Sequence, residues 1–80
     1  MRGTKVEYLN LGSNKLIDIS GVASCPLLQI LSITNNKLEA HNLIFLEGLV
    51  LLKGLYCYTN PMDADPNLLK KIARVLPQSI

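Results

Sequence analysis

One spacing of apolar residues recurs three times in the 80-residue chain and limits what it can fold into. The copies are Val6, Leu9, Leu11, Asn14 and Leu16; Leu28, Leu31, Ile33, Asn36 and Leu38; and Leu52, Leu55, Cys57, Asn60 and Met62. In each, two apolar residues alternate (Leu9 and Leu11, Leu31 and Ile33, Leu55 and Cys57), the period of a short strand with those side chains turned inward. Each copy then reaches an asparagine where the strand must turn away. A strand this short buries little by itself. Its recurrence at a near-fixed interval marks a stacked array in which neighbouring copies supply each other's core.

The segments between the copies set the return path. Leu16, Ile19, Val22, Cys25 and Leu28 recur in threes, too tight for a strand and right for a tight helical or extended return. Asn14 and Asn36 are 22 residues apart, whereas Asn36 and Asn60 are 24 apart. Counting back from Leu52 in threes gives Leu49, Leu46 and Leu43, which assigns the two extra residues to a return-side loop, Glu39-Ala40-His41-Asn42. Asn42 is expected to cap a short helix starting at Leu43, with Gly48 and Gly54 keeping it short.

After Asn60 the pattern changes. Pro61 follows at once, then Asp63-Ala64-Asp65-Pro66, then apolar residues at 68, 69, 72, 73, 75 and 76. These predict an amphipathic capping helix over about 66–76, with Asp65 as N-cap, Pro66 at the first helical position and Pro77 beyond the end. Lys70, Lys71 and Arg74 form its solvated face, the last two near the negative end of the helix dipole. Residues 1 to 5 are polar and are expected to be loose. The chain thus reads as one α/β domain over 1–80: a solenoid of about three coils (6–27, 28–51 and 52–62), a short parallel sheet on its concave side and a C-terminal capping helix.

Composition narrows the function. A net charge of +2 gives no field of the strength nucleic-acid binding needs, so neither nucleic acid nor a membrane surface is an expected partner. Cys25 and Cys57 lie 32 residues apart with no CxxC and only His41 as a further soft ligand, which indicates neither a zinc site nor a disulfide framework. A reduced intracellular setting fits best, cytoplasmic first, cytoskeletal or nuclear as alternatives. No Asn-x-Ser/Thr acceptor occurs, and the amino terminus lacks the apolar run of a signal peptide. The longest apolar stretch, Leu43 to Tyr58, is broken by Glu47 and Lys53 and falls short of the roughly 20 residues of a spanning helix. No nucleophile with a base, glycine-rich phosphate loop or paired catalytic carboxylates can be assembled. No enzyme, cofactor or metal is therefore expected, and Asp63 and Asp65 fit a turn and cap better than a Ca²⁺ site.

Binding has a clearer candidate. The residues between the inward strand positions face outward on the concave side: Tyr8, Asn10 and Gly12; Ile30, Ser32 and Thr34; Gly54, Tyr56 and Tyr58. Of these, Tyr8, Asn10, Ile30, Ser32, Thr34, Tyr56 and Tyr58 are the proposed protein-binding residues. All three tyrosines of the chain fall on this face, and Tyr is enriched at binding hot spots, although strands favour Tyr in any case. Asn14, Asn36 and Asn60 are structural candidates, since an amide can bond backbone groups between coils. Losing one should cost about 1–3 kcal/mol where those groups are buried. Lys15 and Lys37 take equivalent positions and stack as a short basic stripe that Pro61 ends, read as a solvated edge. His41 stands alone in the insertion loop, and both cysteines read as packed thiols.

The spacing resembles the leucine-rich repeat, L-x-x-L-x-L-x-x-N-x-L, over about residues 6 to 80. Its 22-residue period is similar to that of intracellular phosphatase regulators and bacterial internalins. The stretch from Asn60-Pro61 through the helix to Val75-Leu76-Pro77 resembles the cap of members such as the axonemal dynein light chain, the spliceosomal A-prime protein and the acidic nuclear phosphoproteins. The resemblance implies a leucine-rich-repeat fold and a non-enzymatic module that binds proteins. Two departures matter. The family cap usually continues past its Leu-Pro into another short strand, whereas Leu76-Pro77-Gln78-Ser79-Ile80 stops before that. At the other end no polar helix or strand covers the first coil, so Val6, Leu9 and Leu11 form an open edge.

Two readings follow. One is a module that grips a protein partner through its concave face. The other is a structural segment of a larger axonemal, cytoskeletal or ribonucleoprotein assembly, with the open first coil packed on a neighbour. In the second, the chain is a fragment of a longer solenoid or something else covers that end.

Overall fold

The three repeated patterns form three short parallel strands, β1 (Tyr8–Asn10), β2 (Ile30–Ser32) and β3 (Gly54–Tyr56), ordered β1-β2-β3 in one sheet. This is a computed structural model, and residues 5–76 are described. Register is strict: Tyr8 pairs with Ile30 and Ile30 with Gly54, Leu9 with Leu31 and Leu31 with Leu55, Asn10 with Ser32 and Ser32 with Tyr56. Parallel strands need a return crossing. The returns run as 3-10 helices, Ser20–Ser24 after β1, Ala40–Leu46 after β2 and Pro61–Ala64 after β3. A 3-10 helix has three residues per turn. That is why residues spaced in threes face one way: Ile19, Val22, Cys25 and Leu28 are all buried, as are Ala40, Leu43, Leu46, Leu49 and Leu52.

The return after β2 corrects the expected cap. Its 3-10 helix starts at Ala40, preceded by Glu39, so Asn42 lies inside it and is fully buried. The Asn42 amide accepts the N–H of Ile19 at 3.1 Å and donates to the carbonyls of Ile17 and Glu39 at 3.3 Å each. The N–H of Ile19 is buried and needs an acceptor, and the two inserted residues bring Asn42 over it. Asn42 is therefore a cross-link between segments, not a helix cap.

The last helix, α1 (Leu68–Val75), starts two residues later than predicted. The Asp65 carboxylate accepts the N–H of Asn67 at 2.7 Å and the Asp65 carbonyl accepts that of Leu68 at 3.1 Å, which ties Pro66 and Asn67 into a turn ahead of the helix. Its apolar face is also narrower: Leu68, Ile72 and Val75 pack inward, while Leu69 and Ala73 are exposed because they lie about 100° round the helix from that stripe. Lys71 stays on the solvated face, its side chain 41% exposed, and its ammonium meets the Asp65 carboxylate at 2.5 Å. That ammonium, and then the Asn67 N–H, hold the Asp65 carboxyl below the usual range. Pro77 and residues 1 to 4, on which the stop signal and most of the loose terminus were placed, lie outside the described residues.

The core is continuous but uneven. In the middle segment Leu31 and Ile33 are fully buried, whereas Leu9 and Leu11 on one side and Leu55 on the other are half-buried. Met62, Val75 and Leu76 close the β3 end.

Candidate functional site

Strand alternation sends Tyr8 and Asn10, Ile30 and Ser32, and Gly54 and Tyr56 to the sheet face away from the core. There Tyr8, Asn10, Ile30, Ser32 and Tyr56, together with Leu9, line an open groove of about 390 Å³. Tyr8 and Tyr56 are its walls, 69% and 52% exposed. They stand two strands and two residues apart, which puts their Cα atoms roughly 12 Å from each other. Half-buried Ile30 lies between them in the register. Gly54 pairs with it on the next strand, where a Cβ would make ordinary contact with Ile30 Cγ1 at 3.4 Å. No charged side chain lines this groove.

Five of the seven proposed binding residues are thus gathered. Thr34 and Tyr58 lie further along, past the strand ends, and do not line the groove, though Tyr58 is 67% exposed. Leu9 was assigned inward by alternation; as part of the outermost strand it is only half-buried and also reaches the groove. The Asn10 carboxamide folds back and accepts the Gly12 N–H at 2.9 Å. A Cβ at Gly12 would sit 3.1 Å from that oxygen and 3.3 Å from the Thr34 carbonyl, so the bare glycine permits the contact.

A ladder of asparagines holds the face in place. The Asn36 Oδ1 accepts the N–H groups of Asn14 and Leu16, at 3.0 and 2.9 Å, one repeat back. Its Nδ2 donates to the carbonyls of Leu11, Ile33 and Thr34. Asn60 repeats the arrangement: its Oδ1 accepts from Asn36 and Leu38, and its Nδ2 donates to Ile33, Cys57 and Tyr58. Asn14 differs. It is exposed, its Nδ2 reaches only Leu11 and Gly12 of its own turn, and among the described residues its Oδ1 accepts nothing.

At the far end the Asp63 carboxylate stands where a further asparagine would, accepting the N–H groups of Thr59 at 2.9 Å and Asn60 at 3.4 Å. The residue before each asparagine, Ser13, Asn35 or Thr59, has a left-handed backbone with φ of 61°, 59° and 58°. None is glycine, so no sequence signal marked the position.

Beyond the strand ends Lys15 and Lys37 lie one repeat apart beside one hollow, although Lys15 has a left-handed backbone (φ 57°) and Lys37 does not. With Ser13, Asn35 and Asn36 they line a second hollow of about 240 Å³, across which the Asn35 amide donates to Ser13 Oγ at 3.1 Å. On the return side His41 lines a third hollow with Ile44, Glu47, Lys71 and Arg74. The Asp18 carboxyl is lowered, first by the Ser20 hydroxyl and then by the Ser20 N–H. Cys25 and Cys57 are free and buried, and burial, then the nearby Asp63, pushes the Cys57 thiol up. Among the described residues no metal-holding cluster of three or more His, Cys, Asp or Glu is gathered, and no helix is long and apolar enough to cross a membrane.

Comparison with known proteins agrees with this repeat geometry. The family described as Leucine Rich repeats (2 copies) matches residues 4–43, half of the chain, running from before β1 into the 3-10 helix after β2. No curated protein matches the chain. On the family match and on the strand, asparagine and return-path pattern that underlies it, the chain belongs to the leucine-rich-repeat family, whose domains generally mediate protein–protein interaction.

Proposed function

We propose that the chain is a three-coil leucine-rich-repeat solenoid that binds a protein partner, without catalysis, through its concave sheet face. Tyr8, Ile30 and Tyr56 are the anchors, and Asn10, Ser32, Thr34 and Tyr58 surround them. The observation that carries this reading is the uncharged groove walled by two exposed tyrosines. Each ring offers a large apolar body and a hydroxyl, and the asparagine ladder holds the groove preformed, so little ordering opposes binding. The two buried free thiols fit an intracellular, cytoplasmic setting. The test is the double variant Tyr8→Ala/Tyr56→Ala, measured against the partner that co-purifies from the native source. Affinity should fall about 100-fold, from roughly 1.5 kcal/mol per ring, while the urea midpoint stays unchanged. Unchanged affinity in the folded variant sinks the proposal.

A second reading has its own observation. In β1 the Glu7 carbonyl and the Leu11 N–H face β2, so the main-chain groups of Tyr8 and Asn10 point to the open edge. Beside them lie half-exposed Val6, Leu9, Leu11 and Leu16 and the Asn14 oxygen, which accepts nothing among the described residues. This supports a structural segment whose first coil packs on a neighbouring protein. Sedimentation separates the two: a monomer that unfolds cooperatively counts against the structural reading, and obligate assembly favours it.

A further inference from the structure

Resting on the concave-face reading, we infer that the partner segment is an acidic peptide, which sets an aromatic or large aliphatic side chain between Tyr8 and Tyr56 and a carboxylate on the Lys15–Lys37 pair. The charges are unevenly placed. The groove itself is neutral. Ahead of the strands Glu7 and Lys53 offset each other in sign, with the Glu7 carboxylate taken by the Gln29 amide at 3.3 Å. Past the ends of β1 and β2 the two lysines lie one repeat apart and both exposed, while past β3 the Asp63 carboxylate is turned to the Thr59 and Asn60 N–H groups.

Stacked segments put their Cα atoms about 5 Å apart. Two like charges lining one hollow repel weakly in water, and a carboxylate between them relieves the repulsion. Neither lysine has an ion-pair partner among the described residues, and no acid lines their hollow, in contrast to Lys71, which is held by Asp65. The hollow is rimmed by groups already fixed in place: the Asn36 amide is engaged by five backbone groups and the Asn35 amide by Ser13.

Groove and hollow are separated along the strand direction by a few residues, roughly 10–15 Å. A two-turn helix or four extended residues span that distance. The carboxylate of a peptide is favoured over the phosphate of a nucleic acid. Two lysines release too few counterions for the latter, and neither hollow on this face carries an arginine.

Selection of random 16-residue peptides displayed on phage, against the full 80-residue chain, tests the inference. The selected sequences should combine Asp or Glu with an aromatic or Leu a few positions away. The tightest should lose about tenfold in affinity to Lys15→Glu/Lys37→Glu, and as much when its own carboxylates are replaced by amides. Both lysines are exposed, so the variant should keep the wild-type urea midpoint. Sequences without acidic enrichment, equal binding to the charge-reversed variant, or a single-stranded oligonucleotide that displaces the peptide at lower concentration overturn the inference. Peptides that need Tyr8 and Tyr56 but ignore the lysines overturn it while leaving the concave-face reading standing. Peptides indifferent to the tyrosines, or no selection above an unrelated protein, overturn both.

Discussion

The two ends of the sheet are built from the same repeat and finished differently. At β3 the last asparagine, Asn60, reaches back into the preceding segment, its own N–H is taken by Asp63, and Met62, Val75 and Leu76 seal the core beneath. At β1 the first asparagine, Asn14, reaches back to nothing among the described residues, and Leu9 and Leu11 are only half-buried. One residue type at one motif position therefore has different energetic weight at the two ends. What lies on the preceding side of an asparagine decides its worth.

The largest effect should come from the asparagines themselves. Asn60→Ala strips the acceptor from the N–H groups of Asn36 and Leu38 and the donor from the Ile33 carbonyl, all in buried surroundings. The loss should be about 3 kcal/mol or more, enough to unfold much of a domain this small. Asn36→Ala should cost slightly less, since its partners are only partly buried. Asn14→Ala should change stability by no more than about 0.5 kcal/mol, the usual range at a surface position. Urea denaturation followed by circular dichroism reads all three. Equal losses at Asn14 and Asn60 would break the contrast between the ends.

Core truncation should follow the same order. Met62 is 1% exposed at the closed end, and Met62→Ala should cost about 2–4 kcal/mol through lost burial and the cavity left behind. Leu9→Ala, at a half-exposed position on the open edge, should cost about 1 kcal/mol. A larger loss at Leu9 would mean that something covers the β1 edge.

Much of this contrast could be read from residue spacing, and the unread parts share one cause. Period-two alternation at Leu31 and Ile33 marks a strand and its inward face whatever the neighbours are, and the asparagines follow from where the strand must turn. The return path was ambiguous because apolar residues in threes suit both a 3-10 and an extended chain. Only packing decides between them. Asn42 looked like a cap because Asn before an apolar run is a common cap; its amide is instead drawn to the Ile19 N–H, a group 23 residues away that local pattern cannot reveal. Asp63 could be assigned to a turn, but not to the two N–H groups it closes. Ser13, Asn35 and Thr59 share a left-handed backbone without sharing a residue type. On the sheet face away from the core alternation located the tyrosines, but which of them share a groove depends on register, and that left Tyr58 out.

Asp63→Ala sharpens the account of the closed end. Removing the carboxylate frees the Thr59 and Asn60 N–H groups near the surface, and the loss should resemble that of a helix N-cap, about 1 kcal/mol. Asp63→Asn retains an acceptor oxygen and should recover part of it. If Asp63→Ala is silent, water closes the ladder as well as the carboxylate does, and the two ends differ only in their apolar cover.

Backbone conformation offers a gain instead of a loss. Thr59 is β-branched and sits at φ 58°, where such residues are strained, while the equivalent position in the middle segment holds Asn35, a type that tolerates this region. Thr59→Asn should raise stability by about 0.5–1 kcal/mol without the chain-entropy penalty of glycine. Ser13→Asn should gain less, since serine is not β-branched.

The smallest effect is a pH dependence that belongs to the closed end. Burial, and then the negative charge of Asp63, raises the Cys57 thiol above its ordinary value. As pH rises past the ordinary thiol range, near 8.5, the unfolded chain releases this proton while the folded chain keeps it. The folded state then binds more protons, and stability must fall with increasing pH until the folded thiol also ionises. Cys57→Ala should flatten this alkaline decline in urea midpoints between about pH 8 and 10, at some constant cost in packing. The same protection should make Cys57 react with iodoacetamide far more slowly in the native chain than in urea, since the thiolate is the nucleophile. Asp63→Asn takes away one of the two causes, so it should speed that reaction and make the decline slightly smaller, ending at a lower pH. A native Cys57 that alkylates as fast as a peptide thiol would show the β3 end opening more readily than its cover of Met62, Val75 and Leu76 implies.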